Sequence, residues 1–216
     1  MKVFAIVPVK ELSASKRQLS AVLSPEERSS LTAAMLEDVL KALKSSMISE
    51  IIIVGAGSLA QQVADKYGAS YLSKGRVGLD RAVKKAVEWC IEKKADAVLA
   101  LPANIPLASS KDIDRIVELG SEEPSVVLSP SLNGGMNALF LNPPNMIQAC
   151  FGPSCFFKNV EAAIKKDVII RFYSSRDIAM DVDSKEDLQR LLETENYTTS
   201  KQVFQQIITQ KEEKNQ

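Results

Sequence analysis

The sequence contains no histidine among its 216 residues. This absence excludes every mechanism that depends on imidazole, including Ser-His-Asp triads, histidine general bases and histidine-ligated metal sites. Any chemistry must therefore rely on carboxylates, lysines, arginines, cysteines, backbone amides or a bound metal ion.

Cysteine is scarce, and the three present, Cys90, Cys150 and Cys155, lack the spacing of a metal site. Their odd number, in a chain of this size, is not typical of a disulfide framework, so we expect a reducing, cytoplasmic compartment. We interpret Cys155 as an unreactive cysteine, because no base that would activate it as a nucleophile is evident nearby.

Long apolar runs and an excess of charge of either sign are also absent. No apolar stretch approaches the roughly 20 residues of a membrane span, and residues 1–8 lack the layout of a signal peptide. Lysine plus arginine count 27 and aspartate plus glutamate count 27, which gives a net charge of zero. Nucleic acids and anionic membranes attract excess positive charge, so we expect neither as a partner, whereas a local basic pocket for a small anion fits the composition.

What the sequence does contain is an alternation of apolar strands and amphipathic helices, with 45% apolar residues overall. The first run, 3–9, is continuously apolar, as in strands that are buried on both faces of a parallel sheet. A β-α-β-α-β-α-β pattern follows as far as residue 101 and predicts right-handed crossovers. Closely spaced strands around Gly134-Gly135 predict an antiparallel insertion. We therefore predict a three-layer α/β/α fold with a mixed, mainly parallel sheet.

The element boundaries follow from apolar periodicity and capping residues. Ser24-Pro25-Glu26-Glu27 supplies a cap, a proline at the first helical position and a glutamate that completes a capping box. Ser184 is a similar cap, with Asp187 at the third helical position. Strands are predicted at 3–9, 50–55, 69–72, 97–101, 125–128, 138–141 and 168–173, with further helices at 59–67, 79–91, 110–119 and 154–166.

The chain is predicted to form one domain over 1–195, followed by a polar tail over 196–216. The tail's few apolar residues are Val203, Phe204, Ile207 and Ile208. They could form an amphipathic helix that packs on the body or on a second subunit, and a partly ordered tail fits the composition equally well.

The loop after the first strand is a candidate phosphate site. In open α/β sheets, ligands bind beyond the carboxyl ends of strands. Small residues at 13–15 let the backbone approach a phosphate, and Lys10, Lys16 and Arg17 lie close in sequence. No Walker or Gly-x-Gly-x-x-Gly pattern is present, so a solvated basic loop is an equally good interpretation.

Two further turns also have both a functional and a purely structural interpretation. Asn104 lies between two prolines that could direct it into a cleft, or the segment is an ordinary proline-rich loop. Gly134-Gly135 permits close approach of a ligand, or makes a simple hairpin turn.

Two segments beside predicted helices also have two interpretations each. Gly152 to Cys155 precedes a helix whose free amides could hold an anion, or Ser154 is a plain helix cap. Asp181 and Asp183 project to the same side of an extended segment and suit Mg²⁺, or they form a capping cluster with Asp187.

The order and spacing of these segments resemble the 2-phospho-L-lactate guanylyltransferase family, nucleotidyltransferases of deazaflavin coenzyme biosynthesis, from Val3 to about Leu192. The matching residues are Pro8-Val9-Lys10, Lys16, Leu19, Glu27-Arg28, Leu31, 35–40, Gly78-Leu79, Ile105-Pro106-Leu107, Gly134-Gly135, Asn137-Ala138-Leu139, Phe151-Gly152, Asp181-Val182-Asp183 and Glu186-Asp187-Leu188.

The resemblance implies the fold of sugar-phosphate nucleotidyltransferases and a reaction that joins GTP to a phosphorylated three-carbon acid, 2-phospholactate or phosphoenolpyruvate. Pyrophosphate is released and Mg²⁺ is required. The implied nucleotide-binding residues are Pro8, Lys10, Lys16, Arg17, Gly78 and Asp80. The implied acceptor-binding residues are Gly135, Met136, Asn137, Gly152 and Cys155. The implied metal ligands are Asp181, Asp183 and Asn104, and the implied catalytic residues are Lys16 and Asp183.

The sequence departs from the family pattern at several of these positions. Gln18 replaces an arginine, Asn104 an aspartate, Met136 a threonine, Cys155 a serine, Asn159 a histidine and Asp80 an asparagine. Two alternatives therefore stand beside the guanylyltransferase: a catalytically weakened paralogue that binds nucleotide or phosphate ligands, and a nucleotidyltransferase with another acceptor. A homodimer is a further expectation.

Overall fold

The structure, a computed structural model, describes residues 1–9, 17–73, 75, 78–150 and 155–214. Its strands are β1 (Val3–Pro8), β2 (Glu50–Gly55), β3 (Ser70–Ser73), β4 (Ala97–Ala100), β5 (Ser125–Pro130), β6 (Met136–Asn142) and β7 (Ile169–Phe172). Its helices are α1 (Pro25–Lys44), α2 (Ser58–Tyr67), α3 (Leu79–Glu92), α4 (Ser110–Ser121), α5 (Cys155–Lys165), α6 (Arg176–Ala179), α7 (Lys185–Glu193) and α8 (Thr199–Lys214), with a 3₁₀ turn at Arg17–Leu19.

Within the described residues, the strands form one sheet in the order β3-β2-β1-β4-β6-β5-β7. β1 pairs in parallel with β2 and β4, and β5 pairs in parallel with β7. β6 runs antiparallel to both of its neighbours, β4 and β5. The predicted mixed, mainly parallel sheet with an antiparallel insertion is therefore confirmed.

Helices cover both faces of the sheet, because side chains of each central strand alternate between two apolar layers. In β1, Val3, Ala5 and Val7 face the layer that contains α1, α2 and α4. Phe4 and Ile6 face the opposite layer, which contains α3 and α5. The three-layer α/β/α prediction is thus confirmed, and the continuous apolar run in β1 reflects burial on both faces.

Local capping rules place the main helix starts where the sequence predicts them. Ser24 caps α1 through Glu27, whose side chain returns to the Ser24 amide and so completes the capping box. Ser184 and Asp187 do the same for α7. The four-residue α6 was not predicted, because a single helical turn is too short to show apolar periodicity.

The tail forms helix α8, which packs against the body. Its apolar residues join a third apolar layer, called here the α8 cluster. The buried members of this cluster are Leu19, Leu23, Leu31, Met35, Leu107, Met180, Val182, Leu188, Leu191, Phe204 and Ile207. Among the described residues, no helix has the length and apolarity to cross a bilayer.

Candidate active site

The candidate site lies at the edge of the sheet where the parallel strands end. Because β6 runs against the other strands, its first residues lie at the same edge as the carboxyl ends of β1, β4 and β5. Three loops meet there: the segment after β4, the β5–β6 hairpin tip and residues 180–184. Ligands of open α/β sheets bind at this edge.

Asn104, in the loop after β4, is joined to Val182 and Asp183 by one contact each. The Asn104 side-chain amide donates to Oδ1 of Asp183 at 3.1 Å. The backbone carbonyl of Asn104 accepts from the Val182 amide at 2.9 Å. The structure therefore brings together the predicted site residues Asn104 and Asp183, which are 79 positions apart in the chain.

Asp181 lies against Asp183, and its environment penalises ionisation. Burial raises the pKa of Asp181 above its ordinary value, and the neighbouring Asp183 carboxylate raises it further. Asn133, at the hairpin tip, donates to Oδ1 of Asp181 at 3.4 Å and partly offsets this increase in the Asp181 pKa. Two carboxylates held this close at partial burial are stabilised by a nearby cation.

Asp187 has a different function from these two carboxylates. Its Oδ2 accepts from the Ser184 amide at 2.9 Å and from the Asp183 amide at 3.1 Å, which caps helix α7. The capping interpretation is therefore correct for Ser184 and Asp187. The Asp183 backbone takes part in this cap, whereas Oδ1 of its side chain accepts from Asn104.

The residues present fit a magnesium ion that also takes ligands from a substrate. Mg²⁺ in nucleotide enzymes is typically held by one or two carboxylates, with the rest of its shell supplied by phosphates and water. Asp181 and Asp183 supply such a pair. The side-chain nitrogen of Asn104 contacts Asp183, and its side-chain carbonyl oxygen is a further potential ligand. Within the described ranges, no group of three or more acidic or thiol side chains forms a self-sufficient metal site.

The predicted nucleotide and acceptor sites are each described only in part. Lys10, Lys16, Gly152 and the side chain of Arg17 lie outside the described residues, so their predicted binding roles stay predictions. Pro8 is buried at the carboxyl end of β1, in register with Val54.

Gly78 and Asp80 lie at the start of helix α3. Gly78 is exposed at its N-cap, and no atom of the described residues lies within 4 Å of the point where a side chain would begin. Asp80 is exposed in the first turn of α3.

The hairpin on the acceptor side is a closed turn. Gly135 donates its amide to Oγ of Ser131 at 3.0 Å and accepts from the Ser131 amide at 3.1 Å. Gly134 provides the positive φ of 75° that the turn requires. The hairpin interpretation of this segment is therefore confirmed, and the amide of Gly135 is already bonded.

Met136 and Asn137 begin strand β6 and are both buried. The Asn137 side-chain amide donates to the Ile178 carbonyl at 2.9 Å and holds helix α6 against β6. The sulfur of Met136 accepts from the side-chain amide of Asn159 at 3.3 Å. The interior beside Met136 is thus more apolar than a hydroxyl at this position would make it.

Cys150 and Cys155 form a disulfide bond, which corrects the expectation of free, reduced thiols. Their Cα atoms are 5.4 Å apart, within the usual range for a disulfide. Helix α5 begins at Cys155 and brings it back towards Cys150, a proximity that cysteine spacing alone does not show. The Cys155 thiol is therefore not available to an acceptor, whereas Cys90 is free and buried, which raises the pKa of its thiol to about 12.

Asn159 secures the same corner of the protein. It is fully buried, accepts from the Cys150 amide at 3.0 Å and donates to the Cys150 carbonyl at 2.9 Å. Asn159 therefore fixes the backbone at the start of the acceptor-side segment.

One site residue escaped the sequence analysis. Asn133 reaches Asp181, and the only sequence signal was its position beside Gly134-Gly135 at a predicted hairpin tip. Such a signal does not say which loop the tip will contact.

Known structures share this architecture. A protein from Desulfovibrio desulfuricans G20 that is assigned to the nucleotide-diphospho-sugar transferases superposes with a TM-score of 0.79, at 14% identity, over 95% of each chain. The fold is therefore that of the nucleotide-diphospho-sugar transferase class.

With this fold, the chain belongs to the family described as "Guanylyl transferase CofC like", whose model matches residues 1–215. A phosphoenolpyruvate guanylyltransferase from Rubrobacter xylanophilus is 38% identical over 192 residues, which are 88% of this chain and 94% of the relative. A 2-phospho-L-lactate guanylyltransferase from a Methanocaldococcus species is 35% identical over 190 residues, 85% of this chain and 78% of the relative. The family resemblance inferred from the sequence is confirmed.

Proposed function

We propose that this protein is a guanylyltransferase that joins GTP to the phosphate of a phosphorylated three-carbon acid, with release of pyrophosphate. The acceptor is phosphoenolpyruvate or 2-phospholactate, the acids named for the relatives above. The observation that carries the proposal is the paired carboxylates Asp181 and Asp183, held by Asn104 at the ligand-binding edge of the sheet.

The reaction suits a site without histidine. An oxygen of the acceptor phosphate forms a bond to the α-phosphorus of GTP, while the bond from that phosphorus to the bridging oxygen breaks and pyrophosphate leaves. The attacking oxygen is already an anion, so no general base is needed. The protein contributes by orienting the two anionic reactants and by balancing their charge.

Asp181 and Asp183 would hold Mg²⁺, which supplies neutralisation of charge on the reacting phosphates when bound. Asn104 keeps the Asp183 carboxylate in place through its amide. Lys10 and Lys16 are proposed to hold the triphosphate, and the start of β6 together with the Cys150–Cys155 corner is proposed to face the acceptor.

Pyrophosphate release from purified protein tests the proposal. The assay contains GTP, Mg²⁺ and either phosphoenolpyruvate or 2-phospholactate. We expect Asp183→Ala to lower the rate by about 100-fold or more, since it removes a charged ligand from the phosphoryl-transfer site. Asp65→Ala, which alters an exposed aspartate of α2, is the control and should retain the full rate.

No pyrophosphate release from the wild-type protein would argue against the proposal. A rate unchanged by Asp183→Ala would remove the assigned function of the carboxylate pair.

A second candidate function is a weakened paralogue that binds nucleotide without turnover. Asn104 favours it, because this neutral side chain occupies a position where the family pattern has a charged metal ligand, and one lost charge weakens metal binding. Calorimetry distinguishes the two functions. Binding of GTP and Mg²⁺ without pyrophosphate release supports the paralogue, and absence of binding rejects it.

We also propose that the protein acts in the cytoplasm and that it forms a homodimer. Because the apolar residues of α8 pack on the body, a dimer would use a different surface from the tail. Light scattering that gives the monomer mass, 23.6 kDa, would reject the dimer.

A further inference from the structure

Helix α8 is fastened to the body at its first turn. Both oxygens of the buried Asp38 carboxylate accept backbone amides, from Thr199 and from Ser200, each at 2.8 Å. Lys41 adds a contact to the Thr199 hydroxyl. These contacts join α8 to helix α1 at the end of α8 that lies away from residues 17–24.

The other half of α8 contacts the segment that leads from the candidate phosphate loop into α1. Nζ of Lys211 donates to the Val22 carbonyl at 2.6 Å and lies 2.8 Å from Oε2 of Glu27. The next carbonyl, that of Leu23, accepts from Nη1 of the buried Arg28 at 2.8 Å. Two cations therefore hold two consecutive carbonyls at this point in the chain.

The α8 cluster joins this segment to the carboxylate pair. Leu19 and Leu23, from the segment after the phosphate loop, belong to the same apolar cluster as Val182, which lies between Asp181 and Asp183. Phe204 and Ile207 of α8 complete the cluster. Helix α8 therefore packs in the same apolar cluster as the segment after Lys16 and as the segment that carries Asp181 and Asp183.

Lys211 itself adds little to overall stability. Its side chain is 41% exposed, and ion pairs at such sites typically contribute about 0–1 kcal/mol. The Oε2 atom of Glu27 that Lys211 contacts also accepts from the Ser24 amide, at 2.7 Å, in the capping box of α1. Among the contacts of the described residues, that of Lys211 connects α8 to the Val22 carbonyl, a few residues after Lys16 in the chain.

We propose that Lys211 is a positioning residue that holds residues 19–23 in place for GTP binding, because these residues follow the proposed triphosphate ligands Lys10 and Lys16 in the chain. The proposal rests on the proposed function for its substrate, although its structural part can be measured without any ligand. Lys211 does not touch the reacting atoms, and it acts through the backbone of Val22.

The test compares Lys211→Ala, Lys211→Arg and the control Lys41→Ala, which removes a lysine contact at the opposite end of α8. Hydrogen–deuterium exchange is measured on the ligand-free proteins at the amides of Val22 and Leu23, both of which donate to the Leu19 carbonyl. We expect about threefold to tenfold faster exchange in Lys211→Ala, near wild-type exchange in Lys211→Arg and no change in Lys41→Ala.

Steady-state kinetics provide the functional measurement. The KM for GTP should rise about fivefold to tenfold in Lys211→Ala, with kcat changed by less than about twofold, and Lys211→Arg should restore it. Unchanged exchange in Lys211→Ala overturns the proposal. So does an equal increase in exchange in Lys211→Ala and Lys41→Ala with a common fall in Tm, because that result is a general loss of stability.

The two proposals fail in different ways. If the wild-type protein neither binds nor consumes GTP, the proposed function fails, and the role of Lys211 in binding GTP fails with it. If GTP is consumed and the Lys211 variants behave like the wild type, the positioning role alone is rejected.

Discussion

Asn104 combines two contacts that an aspartate at the same position could not make together. Its amide donates to Asp183, and its backbone carbonyl holds Val182. An aspartate would keep the backbone contact but would replace the donor with a third carboxylate beside Asp181 and Asp183. The present residue therefore lowers repulsion in the metal-free site at the cost of one ligand charge.

This trade-off predicts the behaviour of Asn104→Asp. In the presence of a chelator we expect the free energy of unfolding to fall by about 1–2 kcal/mol, which corresponds to a fall in Tm of roughly 2–8 °C, because like charges lie close together at partial burial. Millimolar Mg²⁺ should restore most of this loss and should raise Tm more than it does in the wild type. Thermal unfolding with and without Mg²⁺ measures both effects.

Asn104→Ala separates the two causes, since it removes the donor without adding a charge. If Mg²⁺ shifts the Tm of the aspartate and alanine variants equally, the carboxylates do not bind the ion together.

At the scale of residues, the sequence predicts which side chains gather at the site better than it predicts their individual contacts. The grouping of Asn104 with Asp181 and Asp183 was predicted from the family resemblance, and the position of Asn104 after a core strand placed it at the ligand-binding edge. The Cys150–Cys155 bond and the contact of Asn133 with Asp181 were not, because each depends on how a loop bends in three dimensions. Asn159 likewise resembles a polar residue on a helix surface until its burial is known.

At the scale of elements, helix α4 and the end of strand β7 are joined through Asp112. Burial by itself would raise the pKa of Asp112, but hydrogen bonds from Ser109, Ser175 and Tyr173 outweigh it and hold the pKa below its ordinary value. The Tyr173 hydroxyl donates to Oδ1 of Asp112 at 2.7 Å. Burial and this contact raise the pKa of Tyr173 to about 12.

Tyr173→Phe should therefore destabilise the protein in a pH-dependent way. We expect the free energy of unfolding to fall by about 1–3 kcal/mol at pH 7, because the buried Asp112 carboxylate loses a hydrogen-bond donor. A lowered folded-state pKa gives stability that is present above about pH 4 and is lost as pH falls through the folded-state value. The difference between wild type and variant should therefore shrink as the solution is acidified below pH 4.

The alkaline side gives an independent check of the same pair. A raised tyrosine pKa gives stability that is fully present below about pH 10 and is lost as pH rises through about 12. The wild type should thus lose its advantage over Tyr173→Phe in that interval as well. Urea unfolding across the pH range measures both limbs, and a difference independent of pH would contradict the assignment.

Elements were predictable where local chemistry decides them. Helices α1 and α7 begin where capping boxes place them, and the β1 run reflects two-sided burial. Helix α6 is one turn long, and the partners of helix α8 lie far away in sequence, on α1 and at residues 22–27. Neither a single helical turn nor a distant packing partner leaves an apolar period in the sequence. The sequence therefore allowed the tail to be partly ordered, to pack on the body or to pack on a second subunit.

For the whole molecule, ligand binding should appear as added stability. A ligand that binds only the folded state stabilises it by about 2.7 kcal/mol at 100 times its Kd. We therefore expect GTP with Mg²⁺ to raise Tm by roughly 5–10 °C at such concentrations, and GTP with a chelator to raise it far less. Asp181→Asn should abolish the difference that Mg²⁺ makes, and calorimetric or fluorescence melting curves would measure it.

Strand β6, which runs antiparallel to both of its neighbours, has a consequence for how the sheet is assembled. β5 and β6 form a hairpin closed by the turn at Ser131 to Gly135, so their pairing is local in the chain. The central pairing of β1 with β4 brings Val3 opposite Ala97 and must close a far longer loop. Local contacts form faster than distant ones. We therefore expect the hairpin that carries Asn133, Met136 and Asn137 to form early in folding. Strand β4 would then pair with β6, and β1, β2 and β3 would be added to the sheet through β4.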